Sequence, residues 1–393
     1  MATATLFNGH QCIIHIHRPP PLRCIKAARG RKDLVVGSSN LEGEVLALQL
    51  PLGANIALFL IAAYAVWIAG TQLAVAAEEI SDRHKLGKDI MGLVFLATAT
   101  ELPEIVTTMF AAVEGQAKLL LNNMFGGIAL QTAMLAIADL VALNVAITRF
   151  PAKPTPILEG VLLMLTLAVL QGVILLGDVA PIGHVGLGTI FLAGLYVWII
   201  QLLRDQDRNA VWVPVEIPDV APGDRSKGLL ARVAAETGRR LHSRFLLAAA
   251  TILVFGIVLV VAAEALAVQT GLGASFIGAT LLAGSTSLPE LSTTVMAVRL
   301  HSYTMAISNI FGSNLIMIVL LLPADMIYTR GPLLLEADPS ASLALICGVV
   351  VTAVYVIGLI VRGSRRVVGM GYDSAAVLTI YAGFLVLLYA LRN

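Results

Sequence analysis

Long apolar stretches with few charges run through most of this chain, and they limit its fold more than any other feature. Each is about twenty residues or more, the length that an α-helix needs to cross the hydrocarbon core of a bilayer. None alternates polar and apolar residues as a barrel strand does. The sequence therefore predicts an all-α polytopic membrane protein with about ten transmembrane helices, at 53–77, 88–112, 119–145, 157–177, 184–203, 245–268, 275–298, 304–323, 341–362 and 372–391.

Composition excludes several classes of protein. Hydrophobic residues make up 58% of the 393 positions and charged residues only 13%, about half the charged share of a soluble protein. A net charge of +1 offers no basic surface to a nucleic acid. The three cysteines, Cys12, Cys24 and Cys347, form neither a disulfide framework nor a zinc-site spacing. No nucleophile–base pair or phosphate-binding loop points to an enzyme, and no cofactor is expected.

The chain divides into four segments. Residues 1–50 form a basic extension, which is targeting-like or unstructured, or reflects a start codon assigned too early. Residues 51–203 hold five spans, and residues 245–393 hold the other five. Residues 204–244 form the only long hydrophilic loop. The loops on its side of the membrane carry 17 Lys and Arg residues against 3 on the opposite side, which predicts a cytoplasmic loop and non-cytoplasmic termini.

The two halves contain an internal repeat at a fixed offset of 186 residues. Across residues 75–126 and 261–312, 19 of 52 positions are identical, and they include glutamate, proline, asparagine and glycine as well as apolar residues. Five spans in each half invert the second copy relative to the first. Inverted repeats with a binding site near the bilayer midplane are typical of secondary transporters.

The repeated Leu-Pro-Glu sequences place Glu104 and Glu290 inside apolar spans. One carboxylate at mid-bilayer costs ~2.5–3.5 kcal/mol, and a dication bound between two of them would offset much of that cost. The prolines free backbone carbonyls, and Thr100 and Thr286 add further oxygens. An oxygen-only site suits a hard cation such as Ca²⁺. In the alternative interpretation, each glutamate caps a kinked helix or pairs with a buried base.

Other polar residues in the repeats are candidate ligands. Asn123, Asn309 and Ser313 offer neutral oxygens, or serve only in packing and helix-end hydrogen bonds. Glu101 lies one helical turn from Glu104, and its counterpart in the second copy is Ser287. It is either a further ligand for a cation or proton, or a residue nearer the water without a role.

Residues 75–131 and 261–317 resemble the two α-repeats of the cation/calcium exchanger superfamily, which includes sodium/calcium exchangers. The family pattern is G-T-S-L-P-E followed by G-N-x-x-G-S-N, and this chain has S-T-S-L-P-E at 285–290 and S-N-I-F-G-S-N at 308–314. The first copy is weaker, with A-T-E-L-P-E at 99–104 and N-N-M-F-G-G-I at 122–128. The resemblance implies ten helices, Na⁺ sites flanking the centre, and Ca²⁺ bound by Glu104, Glu290, Thr100 and Thr286.

The flanking Na⁺ positions match this pattern only in part. Ser287 and Ser313 fit, whereas Glu101 and Gly127 replace the equivalent serines of the first copy. Four residues farther on, where asparagine or aspartate is usual, the two copies have Gln131 and Met317. Methionine has no oxygen for Na⁺. These replacements favour H⁺ as at least a partial substitute for Na⁺.

Taken together, these features predict an antiporter that moves Ca²⁺, or a related cation, against Na⁺ or H⁺. Its partners are the transported cations and the lipid bilayer. Two alternatives remain open from the sequence: a cation channel or leak pathway, and a membrane scaffold that has lost transport. The cell membrane is the expected location, or an organellar membrane if residues 1–50 are a targeting segment.

Overall fold

The computed structural model describes residues 50–142, 146–151, 153–180, 183–208, 231–270, 284–367 and 369–391. The predicted extension and most of the predicted loop 204–244 lie outside this part of the chain. The helices of the first half are α1 (Leu52–His84), α2 (Lys88–Thr100), α3 (Leu102–Val113), α4 (Ala117–Ala142), α5 (Thr155–Leu176) and α6 (Leu187–Arg208). Those of the second half are α7 (Gly238–Thr270), α8 (Leu288–Arg299), α9 (Tyr303–Val319), α10 (Leu321–Ile327), α11 (Pro339–Val361) and α12 (Tyr372–Leu391). Strands β1 (Arg366–Val367) and β2 (Met370–Gly371) form a short antiparallel pair.

The described helices confirm an all-helical polytopic membrane protein. Seven are long and apolar enough to cross a bilayer, and the bent pair α2–α3 makes an eighth if its two helices are counted as one span. The two other predicted spans correspond to α8 and α12. Residues 271–283, upstream of α8, lie outside the described part of the chain, and α12 is apolar over the shorter stretch Tyr372–Leu388.

The internal repeat is visible in where the helices begin. The first residues of α1 and α7 are 186 positions apart, and the same offset relates α3 to α8 and α4 to α9. Helices α1 and α7 are antiparallel, since Asn55 near the start of α1 bonds Gln269 near the end of α7 at 3.1 Å. At the other end of α1, Arg83 donates to the carbonyl of Ala234 at 3.0 Å. Repeat-related helices that run in opposite directions are what an inverted repeat requires.

The two repeats cross closely where α2 meets α9. A Cβ added to Gly92 would lie 2.5 Å from the carbonyl oxygen of Met305, and one added to Gly312 would lie 2.3 Å from that of Leu93. Only hydrogen fits at these positions, so the two backbones approach in the manner of small-residue helix contacts in membranes. The crossing brings the first halves of both repeats together at the centre of the molecule.

Helices α1 and α7 pack on the outside of this centre through a second pair of glycines. A Cβ on Gly70 of α1 would lie 1.8 Å from the hydroxyl of Ser292 in α8, and one on Gly256 of α7 would lie 2.6 Å from Pro103 in α3. The two glycines are 186 residues apart. Each outer helix therefore contacts the Pro-Glu segment of the opposite repeat.

Two buried aspartates connect the two repeats through hydrogen bonds. Asp139 accepts a hydrogen bond from the N–H of Ile147 at 2.8 Å, and Asp325 accepts one from Leu333 at 2.7 Å. The second oxygen of Asp139 accepts a hydrogen bond from the N–H of Gly371, just before α12. The second oxygen of Asp325 accepts one from the N–H of Gly186, just before α6. Each donor belongs to the opposite half of the chain. These bonds satisfy both carboxylates near the ends of α4 and α10.

The predicted orientation in the membrane is open to a direct test. The end of α1 that carries Arg83 shares one face of the molecule with residues 231–244. In a variant without the native cysteines, we expect an exposed Ala235→Cys to be protected from an impermeant thiol reagent applied to intact cells. Leu335→Cys, exposed on the opposite face, should react. The reverse labelling pattern would place residues 204–244 outside the cytoplasm.

Candidate cation site between the two repeats

A break in the second span positions the first candidate glutamates. Helices α2 and α3 meet at an angle of 52°, with Glu101 between them and Pro103 in the first turn of α3. Proline has no N–H to continue the helical ladder, and its fixed φ suits a first turn. In the second repeat Ser287 precedes α8, and Pro289 again stands in the first turn. Both breaks therefore aim a glutamate from a helix start toward the centre.

Three carboxylates meet at this centre. Glu101, Glu104 and Glu290 each place one carboxylate oxygen within 4.8 Å of those of the other two. Their exposed fractions are 0%, 2% and 0%. Oxygens that coordinate one Ca²⁺ lie about 2.3–2.6 Å from it, so ligands on opposite sides are separated by about 5 Å. The spacing of the three carboxylates is therefore compatible with a single bound cation.

The threonines of the motif interact across the repeats. Thr286 lies beside the carboxylate of Glu104, and Thr100 lies beside that of Glu290. All four carboxylate oxygens of Glu104 and Glu290 nevertheless lack a regular hydrogen bond. Buried polar atoms in proteins are nearly always satisfied. Four buried carboxylate oxygens without a regular hydrogen bond at one point are compatible with binding of a cation or a proton.

No basic side chain supplies that charge within the described residues. The ion pairs they form, such as Arg83–Glu79, Lys88–Glu78 and Arg244–Glu236, do not include any of the three clustered glutamates. Pairing with a buried base, the alternative weighed from the sequence, therefore has no support among the described residues. The cluster carries a formal charge of −3 when all three groups are ionised.

Glu101 extends the pair of repeat-related glutamates. Its Oε1 accepts a hydrogen bond from Gln131 at 2.7 Å, and Ser313 of α9 lies beside its carboxylate. Its Oε2 has no partner of regular geometry. Glu101 is buried. The sequence-based alternative, in which this residue lies nearer the water, therefore does not describe its position. Its role in binding a cation or proton stays a prediction.

The remaining sequence candidates differ in their surroundings. Asn309 donates to Thr293 at 3.1 Å and to Thr294 at 3.3 Å, and its amide oxygen has no regular partner. Ser287 is buried at the break before α8. Asn123 is half-buried on α4. A ligand role for each of the three stays a prediction.

Two of the departures from the Na⁺ pattern, Gly127 and Met317, are in contact. A Cβ on Gly127 would lie 2.9 Å from the terminal methyl of Met317, which is 3% exposed. The methionine therefore fills the volume that a serine at position 127 would need. An apolar contact stands where the resemblance led us to look for two polar ligands.

Sequence reasoning missed a further buried carboxylate. Glu159 in α5 is 0% exposed, and both of its oxygens lie within hydrogen-bonding distance of Ser308, at 2.8 and 2.7 Å. A single acid inside the apolar span 157–177 was the available signal. It has no glutamate counterpart in the second repeat, because the equivalent residue is Leu345, and the search for matching pairs therefore passed over it.

A cluster of carboxylates buried between two inverted helical repeats defines a secondary transporter for cations. The sequence pattern of the family described as "Sodium/calcium exchanger protein" matches residues 54–202 and 243–390, one match in each half. The chain belongs to the sodium/calcium exchanger family, and it is a cation antiporter rather than an enzyme.

Individual relatives agree with this assignment. The inner membrane protein YrbG of Escherichia coli is 26% identical over 254 residues, which cover 64% of this chain and 72% of that protein. CaxA, a candidate antiporter of Alkalimonas amylolytica, is 24% identical over 68% of this chain and 78% of its own length. The solved structure of the sodium-calcium exchanger NCX_Mj soaked with Na⁺ and Sr²⁺ superposes with a TM-score of 0.64 at 15% identity, covering 86% of this chain and 99% of NCX_Mj. That similarity shows a shared fold.

Proposed function

We propose that this antiporter exchanges Ca²⁺, or a related divalent cation, for Na⁺ or H⁺ through the site at Glu104 and Glu290. The observation that carries the proposal is the set of four unsatisfied carboxylate oxygens at the point where the two repeats meet. Hard divalent cations prefer ligands of this type. The name of the exchanger NCX_Mj, whose fold the chain shares, supports the choice of ions.

In this proposal Thr100 and Thr286 add their oxygens to the two glutamates. Glu101, Ser287 and Ser313 extend the site toward its flanks, where a counter-ion would bind. Asn309 contributes its unpaired amide oxygen from α9. For Asn123 the proposal rests on its repeat relation to Asn309 alone.

Antiport by alternating access fits this arrangement better than a channel. The three glutamates are at most 2% exposed, whereas a conducting pore needs a water-filled path. Two inverted repeats around one site provide two related conformations, each open to one side. We place the protein in the cell membrane, because YrbG is an inner membrane protein.

Transport into proteoliposomes tests the function. Purified protein is reconstituted, and Ca²⁺ uptake is measured while outward Na⁺ and H⁺ gradients are imposed separately. We expect saturable uptake that requires one of the gradients. Ca²⁺ flux that runs down its own gradient without a counter-ion would instead identify a leak pathway, and absence of flux under every gradient would favour a scaffold.

The driving ion follows from the charge of the cluster. A dication leaves one of three negative charges unbalanced, and Met317 occupies the place of one expected Na⁺ ligand. Like charges so close in a low dielectric disfavour full ionisation. We therefore expect an imposed pH gradient to drive at least part of the uptake without Na⁺, and Glu101→Ser to weaken that pH dependence.

Glu159→Gln is the matched control for Glu101→Ser. It also removes a buried carboxylate, but Glu159 lies outside the cluster. It should keep the pH dependence of the parent protein. Uptake that requires Na⁺ at every pH and ignores the pH gradient would contradict H⁺ coupling while leaving the Ca²⁺ site intact.

A further inference from the structure

A groove of about 640 Å³ lies between α1 and α7, away from the cation site. One end is polar and the rest is mainly apolar. Residues of α1 form one wall, and residues of α7 form the other. Its lining consists of Tyr64, Ala65, Ile68, Ala69, Gln72, Arg240, Ser243, Arg244, Leu247, Ala248 and Thr251.

The groove crosses the boundary between the hydrocarbon core and the headgroups. Arg244 donates to Gln72 at 2.6 Å, which places both near one level of the membrane. In α7, Arg240 and Arg244 directly precede the uncharged apolar run that begins at Phe245, as basic residues do at the end of a membrane span. The polar end thus lies at the interface. Tyr64 and Leu247, 70% and 67% exposed, lie deeper and face lipid.

The polar end carries a net positive charge. Arg244 pairs with Glu236 and holds the pKa of that carboxyl below its usual value. The guanidinium of Arg240 is exposed at the groove, and no acceptor among the described residues forms a hydrogen bond with it. Two arginines therefore face one acid at this end of the groove.

We infer that this groove binds a membrane phospholipid with an anionic headgroup. The headgroup phosphate lies at Arg240, and an acyl chain follows the apolar wall past Ile68 and Leu247 toward Tyr64. A charged end at the interface, continuous with an apolar channel in the hydrocarbon layer, matches the two parts of such a lipid. A zwitterionic lipid fits the apolar part equally well but gains less from the arginines.

Trp67 on α1, between the lining residues Ala65 and Ile68, provides a local reporter. The other tryptophans are replaced, as Trp198→Phe and Trp212→Phe, in the full chain. Brominated phosphatidylglycerol or brominated phosphatidylcholine is then added as a minor component to phosphatidylcholine bilayers, and quenching of Trp67 gives each lipid's relative affinity. We expect about a fivefold preference for phosphatidylglycerol, the effect of about one basic residue on an anionic lipid.

Arg240→Gln should remove this preference, and high salt should reduce it in the parent protein. Arg239→Gln is the matched control, because Arg239 is an exposed neighbour that does not line the groove. Equal quenching by the two lipids in the parent protein would overturn the inference. So would an equal loss of preference in both arginine variants, which would indicate general surface charge. The measurement does not depend on transport.

Discussion

We expect cation exchange to be lost when either Glu104 or Glu290 is replaced by glutamine, while the protein remains folded in the membrane. Each substitution removes one formal negative charge from a site that no described basic residue balances. Breaking a buried ion pair costs ~3–5 kcal/mol. We therefore expect the affinity for Ca²⁺ to fall by more than about a hundredfold in both variants. Radiolabelled Ca²⁺ uptake into proteoliposomes over a range of concentrations measures the change.

The matched control is Glu264→Gln. Glu264 is also a repeat-related glutamate, but it is exposed on α7 and lies outside the cluster. It should transport at close to the parent rate. Size-exclusion profiles of all three variants establish that they fold. Near-normal transport by either Glu104→Gln or Glu290→Gln would exclude the proposed site.

The second large effect is expected from Gly312→Ala at the crossing of α2 and α9. The new methyl group would lie 2.3 Å from the carbonyl oxygen and 2.6 Å from the Cα of Leu93. Both contacts are backbone atoms, so they cannot be relieved by a side-chain rotation. Overpacking of a close-packed interior costs about 1–3 kcal/mol or more. We expect a loss of at least about 3 kcal/mol in stability, seen as a lower Tm in detergent.

The repeat itself supplies the control for this substitution. Gly126 is the counterpart of Gly312 in the first copy, and a Cβ there meets no atom within 4 Å. Gly126→Ala should therefore leave Tm close to that of the parent protein. If the two alanine variants lowered Tm equally, the effect would come from helix glycine in general rather than from the α2–α9 contact.

Several features followed from the sequence because they depend on local chemistry or on repetition. Apolar length predicts a span whatever surrounds it, so the helices begin close to where the sequence placed them. The repeat offset of 186 residues also gives the helix starts of α7, α8 and α9 from those of α1, α3 and α4. Glu104 and Glu290 were recognisable because a carboxylate in an apolar span needs compensation, and because the motif occurs twice.

Other features needed the three-dimensional arrangement. The sequence left open whether Glu101 faces water or the site, since one helical turn fixes only its face of the helix. The contact between Gly127 and Met317 joins residues 190 positions apart through the crossing of two repeats. Glu159 and Ser308 have no repeat counterparts that pair in the same way, so no sequence pattern indicated their hydrogen bonds.

The sequence by itself determined the class of protein, the inverted repeat and the two central glutamates. Hydropathy and sequence identity are properties of a segment, and they can be read without knowing its neighbours. Only the tertiary structure decided that Glu101 joins the cluster and that Met317 fills the space beside Gly127. It also decided that Thr100 and Thr286 each lie beside the glutamate of the opposite repeat. These outcomes depend on how closely glycine lets two helices approach, and that distance is set by the packing of both partners together.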